Sequence, residues 1–162
     1  YAALSTTRVK EQLSDKPGFE KMNIVAEDGR LYREEGSRNY SLDSPKKGLG
    51  VKRADMVVTF RDYHNFGEEG RAAMNELAFD ALKKGGIYAV VDHTARHMEA
   101  PNSENRRRFD PVLAIKEIQA AGFEFVDFST LHHKLDDALI YEVGRRSVSG
   151  NTDRWTLKFR KP

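Results

Sequence analysis

The period of apolar positions changes along this chain, and each change predicts an element. Residues 54–60 (ADMVVTF) form a near-continuous apolar run of strand length. Such a run suits a strand buried on both faces, as in a parallel sheet. The period then lengthens. Met74, Leu77, Ala78, Ala81 and Leu82 lie on one helical stripe, which predicts a helix over 68–84. Glu68 and Glu69 stand near its start and Lys83 and Lys84 in its last turn, matching the helix dipole, before Gly85 and Gly86 stop it. A second buried strand follows at 87–91 (IYAVV). Strand, helix and parallel strand make a βαβ unit with an expected right-handed crossover.

A polar excursion over 92–109 carries Arg106, Arg107 and Arg108. Asp110 and Pro111 then read as N-cap and first position of a helix that runs to Ala121 and ends at Gly122. Residues 123–128 (FEFVDF) read as a third strand of the buried type, and 129–153 as a long loop. Over 154–160 the pattern alternates strictly, with Trp155, Leu157 and Phe159 on one face and charged or polar residues on the other. One wet face predicts an antiparallel strand near a sheet edge. The chain before residue 54 is weaker in pattern. Residues 1–17 are faintly helical through Leu4, Val9 and Leu13, and Lys16-Pro17-Gly18 breaks them. Residues 19–27 contain a short apolar strand around Ile24 and Val25, Asp28-Gly29 is a turn, and 30–53 reads as an irregular excursion. A loop that long in a compact domain is functional or mobile.

Composition narrows the classes. The 162 residues fit one domain, divided here into an irregular part over 1–53 and a patterned core over 54–162. With no cysteine, a disulfide scaffold, a thiolate zinc site and a cysteine nucleophile are excluded. The 27 basic and 25 acidic side chains leave a net charge of +2, which argues against a nucleic-acid-binding surface despite the basic clusters at 106–108, 145–146 and 158–161. No apolar run approaches the roughly 18 residues of a membrane span. No G-x-S-x-G is present, so a serine nucleophile on a strand-to-helix elbow has no support.

The later part of the chain resembles the carboxy-terminal half of the class I S-adenosylmethionine-dependent methyltransferases. The narrower likeness is to a group of bacterial predicted methyltransferases. It is carried by Ala54-Asp55, Arg61-Asp62-Tyr63-His64, Leu82-Lys83-Lys84-Gly85-Gly86, Val91-Asp92-His93, Ala121-Gly122-Phe123, Asp136-Asp137, Thr152-Asp153-Arg154 and Leu157-Lys158-Phe159-Arg160-Lys161-Pro162, in that order. The resemblance implies a Rossmann-like α/β sheet, mostly parallel, closed by an antiparallel carboxy-terminal hairpin. The family's glycine-rich cofactor loop has no counterpart, because Gly48-Leu49-Gly50 precedes a strand instead of linking strand to helix. The resemblance therefore implies a sheet without its first strands, which would lie before Tyr1, with 19–27 as the third strand. Such a sheet would expose an apolar edge or face and need a partner segment, another protein or a second copy to cover it.

In an open parallel sheet, ligands sit beyond the carboxyl ends of the strands. That rule selects Asp28, the stretch 61–65 and the stretch 92–94. The resemblance assigns roles to them. Asp28 would meet the adenine of S-adenosylmethionine, Phe60, Arg61 and Asp62 would contact the cofactor, and Tyr63, His64 and His93 would face a small-molecule acceptor. Methyl transfer is an in-line displacement that depends on alignment, and a base is needed only where the acceptor must lose a proton. Histidine suits that task, with His64 first and His93 second. The alternative is a non-catalytic subunit of this fold serving as a binding or structural module. A metal site at His93 and His97 is disfavoured, since Met98 and Pro101 mark a loop and H-E-x-x-H is absent. The missing initiator methionine leaves both a cytoplasmic and an exported location open.

Overall fold

The computed structural model describes residues 1–3, 11–13 and 15–162. Leu4 and Val9, part of the faint helical pattern, lie outside them. The described chain runs through β1 (Ala2–Ala3), β2 (Ile24–Val25), β3 (Arg30–Tyr32), β4 (Ser41–Asp43), β5 (Lys46–Leu49) and β6 (Ala54–Phe60). It continues through α1 (Glu68–Ala81), β7 (Leu82–His93), α2 (Pro111–Ala120), β8 (Glu124–Ser129) and β9 (Arg154–Arg160). Short 3-10 turns occupy Phe19–Lys21 and Tyr63–Asn65.

One four-stranded sheet, in the order β6-β7-β9-β8, organises the molecule. β6 and β7 are parallel, while β9 is antiparallel to both β7 and β8. The sheet is thus mixed, because its parallel part is reduced to a single pair. β9 is second from the edge, and β8 is the edge strand. Tyr88, Val90 and Asp92 of β7 pair with Phe159, Leu157 and Trp155 of β9. The apolar members of that row pack with Ala78 of α1 and with Ala114 and Ile118 of α2. Asp110 caps α2 as its sequence predicts, its carboxylate accepting from the Val112 N–H at 2.8 Å with Pro111 in the first turn. Gly122, at φ 98°, provides the left-handed exit.

Several expectations need correction. β6 is not buried on both faces: Met56, Val58 and Phe60 are 56%, 47% and 59% exposed. Among the described residues, no strand pairs with the outer edge of β6 and no helix covers this face. β8 is exposed along its whole length for the related reason that it is the other edge. Helix α1 ends at Ala81, so Lys83 and Lys84 fall in β7 and not in a last helical turn. The terminal carbonyls of α1 are met by Lys161, whose Nζ donates to Phe79 O at 2.6 Å and to Leu82 O at 2.9 Å. β2 pairs with β1 and not with the main sheet, so 19–27 is not a third strand of that sheet. The stretch 30–53 is partly regular, because β3 and β4 form an antiparallel pair. Tyr40 N–H donates to Asn65 O and Gly67 N–H to Tyr40 O, which ties this segment to the start of α1.

Candidate functional site

The parallel strands β6 and β7 end side by side at Phe60 and His93, and the ladder closes with Arg61 N–H donating to Val91 O at 2.7 Å. Arg61 adopts φ 56°, a left-handed conformation that costs a non-glycine residue roughly 1–2 kcal/mol. The chain thereby turns sharply into the Tyr63–Asn65 segment and brings His64 over the end of β7.

There Asp92 organises the cluster. Its carboxylate is fully buried and accepts three hydrogen bonds: from His64 N–H at 2.8 Å, from His93 N–H at 2.6 Å, and from the His64 ring at 2.6 Å. The contact between the ring Nδ1 and the carboxylate, together with the backbone bonds, fixes the orientation of the His64 imidazole. An imidazole oriented by a buried carboxylate in this way is able to exchange a proton with a bound group. The His93 ring lies 5.8 Å from the His64 ring, centre to centre, with its Nδ1 2.9 Å from Thr152 Oγ1. Burial is the main cause that pulls the His93 pKa down to about 4; the Asp92 carboxylate opposes it, and His64, Arg154 and Arg108 add smaller lowering effects. His93 is therefore a neutral ring at neutral pH.

Tyr63 is placed elsewhere. It is fully buried, donates to Glu117 Oε2 at 2.9 Å, and accepts from Asn75 Nδ2 at 3.0 Å. Burial drives its phenol pKa far up. Glu117 is also held by a bidentate pair with Arg71, which joins α1 to α2. Tyr63 thus belongs to the core and does not face the strand ends as the sequence led us to expect.

Phe60, Arg61 and Asp62 are all exposed at the end of β6. The Asp62 carboxylate accepts from the Asn65 amide at 3.2 Å. These three stand together at the end of β6, next to its uncovered face. Asp28 is not brought to them. It lies in the turn after β2, and its Oδ2 accepts from Lys46 N–H at 3.1 Å. The other histidines are engaged one by one: His97 with Asp110, His132 with Thr156 and His133 with Asp153.

Two residues of the site region went unread in the sequence as partners. Arg108 looks like part of a solvated basic run, yet it is buried and forms a bidentate pair with Asp137 at 2.9 and 3.0 Å. It also donates to Thr94 O and Tyr141 O, so one guanidinium ties together the two long loops beside the site. Thr152, which meets His93, is 59 residues away in sequence, and no local signal announces it.

No protein-family model matches the chain, and no curated protein matches it in sequence. Solved structures do match. The cyclase SpnF superposes with a TM-score of 0.50 at 15% identity, over 69% of this chain and 51% of that one. A TehB-like S-adenosylmethionine-dependent methyltransferase from Corynebacterium glutamicum gives 0.48 at 13%, over 74% and 52%. The glycopeptide N-methyltransferase MtfA gives 0.48 at 14%, over 68% and 59%. The chain spans about half the length of the first two. The chain shares a partial Rossmann-like α/β fold with the structure it superposes on at a TM-score of 0.50, with a mixed sheet whose carboxy-terminal strand is antiparallel to both its neighbours.

Proposed function

We propose that this chain provides the acceptor side of an S-adenosylmethionine-dependent methyl transfer to a small molecule. The observation that carries the reading is the buried Asp92–His64 pair at the carboxyl ends of two parallel strands, where ligands of open α/β sheets sit. The cofactor supplies a sulfonium methyl group when bound. Phe60, Arg61 and Asp62 offer it one wall, and Asp28 takes no part. His64 Nε2 accepts the proton that the acceptor loses as it takes the methyl group. Asp92 fixes the ring and stabilises its protonated form. His93, neutral and held by Thr152, offers a hydrogen bond and no charge. The role of Tyr63 in this reading is to hold the strand–helix junction.

Titration calorimetry with S-adenosylhomocysteine, on the full-length polypeptide that carries this chain, tests the reading. Saturable binding that weakens in Asp62→Ala is the expected result. In a methyl-transfer assay, His64→Gln should then lower kcat by roughly 10²–10⁴-fold while leaving cofactor affinity unchanged. A full-length protein that binds no cofactor would overturn it.

The uncovered face of β6 favours a second reading, a non-catalytic subunit that docks through this face in a larger assembly. The two readings separate on the same titration. A module binds no cofactor and gains stability from its partner protein.

A further inference from the structure

A cleft of about 600 Å³ opens where residues 47–53 pass the junction of α1 and β7, within the size range of small-molecule sites. Lys47, Lys52, Arg53, Lys83 and Lys84 line it against a single acid, Asp80. Five cations and one acid give the cleft a formal charge of +4, whereas the whole chain carries only +2. The charge is therefore concentrated here and is not a general basicity of the molecule. Lys83 is answered by Asp55 at 2.5 Å. Lys47, Lys52, Arg53 and Lys84 are exposed, and their side chains have neither ion pair nor hydrogen bond among the described residues. Nor does the end of α1 need them, because its terminal carbonyls are met by Lys161, which is not part of the cleft lining. Like charges gathered in one concavity repel each other and focus a positive potential into it. The unmet need is for an anion of more than one charge.

We propose that this cleft binds a molecule carrying two or more linked phosphate groups. A carboxylate monoanion would leave most of the four unpaired cations unanswered. Three of the four are lysines, whose ammonium groups act as point charges and suit phosphate oxygens without the planar match a carboxylate asks for. Leu49 and Val51, both half-buried, give the same cleft an apolar side for the organic part of a phosphate ester. No aromatic residue lines it, so it lacks the stacking platform of a single-stranded nucleic-acid site. Arg53 immediately precedes β6, and Lys83 and Lys84 lie at the start of β7, so the cleft is at the amino ends of these strands. The Asp92–His64 cluster is at their carboxyl ends, roughly 20 Å away along β6. The site goes beyond the methyl-transfer reading, because binding there requires no cofactor.

The full-length polypeptide that carries this chain is titrated by calorimetry with adenosine triphosphate, inorganic tripolyphosphate and inorganic phosphate at about 0.1 M salt, where distant charges are screened. At least one of the two triphosphates should saturate a single site and bind about 10-fold or more tightly than phosphate. Whichever of the two binds more tightly tells an organic ester from an inorganic polyphosphate. Lys52→Gln with Lys84→Gln should weaken triphosphate binding about 10-fold or more. Arg106→Gln with Lys116→Gln makes the same change in net charge at exposed positions outside the cleft and should leave binding within about 2-fold. Arg53→Gly removes a third cation at a position of φ 67°, which glycine adopts freely, so a folded variant with weakened binding is expected. Saturating S-adenosylhomocysteine should leave triphosphate binding unchanged, and a protein that binds no S-adenosylhomocysteine should still bind triphosphate. The proposal is overturned by the absence of saturable triphosphate binding, by equal losses in the two double variants, or by competition with S-adenosylhomocysteine. A single-stranded oligonucleotide that binds more tightly than either triphosphate, and loses its affinity in the cleft variant, would also overturn it and assign the cations to a nucleic-acid backbone.

Discussion

His93, by its charge state, and Arg61, by its left-handed backbone, are the residues of the strand ends that bear most directly on the cluster there. His93 is held neutral, with its pKa at about 4 against an ordinary 6.5, chiefly because it is buried. Between those values the unfolded chain binds the proton that the folded chain refuses. Stability therefore rises with pH across this window and falls as pH drops from about 6.5 towards 4. Melting temperatures measured at intervals over that range should show the decline, and His93→Gln should flatten it. Asp137 acts in a lower window, since Arg108 and backbone N–H groups hold its pKa below 3.8 despite burial, so its contribution is lost only below that value. Arg61 stores strain at φ 56°. Arg61→Gly relieves roughly 1–2 kcal/mol and returns about 0.5–1 in unfolded-chain entropy, so a gain of about 0–1.5 kcal/mol in urea denaturation is expected. If the strain serves a ligand site, the same variant loses cofactor affinity although it is no less stable. Asp92 and His93 could be picked from the sequence because they end an apolar run. The partner of each was hidden, since His64 and Thr152 approach only through the turn at Arg61 and the return of the chain into β9.

At the level of elements, legibility followed the range of the interactions that set each boundary. Helix α2 begins and ends on local signals, the Asp110 cap and Gly122, and both were readable. Helix α1 ends where Lys161 reaches its carbonyls from 79 and 82 residues away, so Lys83 and Lys84 were misplaced. The loops over 94–109 and 130–153 depend on a long-range pair of the same kind. Arg108 and Asp137 have side chains 0% and 1% exposed, 29 residues apart, and each is wholly committed to the other and to backbone groups. Removing one member leaves a buried charge without its partner. Asp137→Ala or Arg108→Met should each cost about 3–5 kcal/mol in urea denaturation and open the 130–153 loop to limited proteolysis. The double variant Arg108→Met with Asp137→Leu should recover a large part of that loss, because two apolar side chains leave no orphan charge. A double variant no better than the single ones would mean that the backbone contacts of Arg108, to Thr94 O and Tyr141 O, matter more than the pair.

For the molecule as a whole, the open question is the uncovered side of the sheet. The apolar run over 54–60 predicts a strand buried on both faces, but no local pattern can show which neighbours are present to bury it. One face of β6 meets the core through Val57, while Met56, Val58 and Phe60 point to the other. No helix of the described residues is long and apolar enough to cross a membrane. A contiguous exposed apolar surface beside an unpaired strand edge marks an interaction site or an aggregation liability. The protein should accordingly bind a hydrophobic dye such as anilinonaphthalene sulfonate in its folded state. Val58→Lys and Met56→Lys should reduce that fluorescence severalfold. Because both positions are exposed and unpaired with the core, the melting temperature should change by less than a few degrees. The same variants separate two uses of the face. If it is covered by more protein in the working assembly, the lysines abolish association or cofactor binding at a distance from His64, whose pairing with Asp92 they do not touch. Full retention of both by a well-folded double lysine variant would mean that the face remains open to solvent and that Phe60, at its upper end, is exposed for the ligand alone.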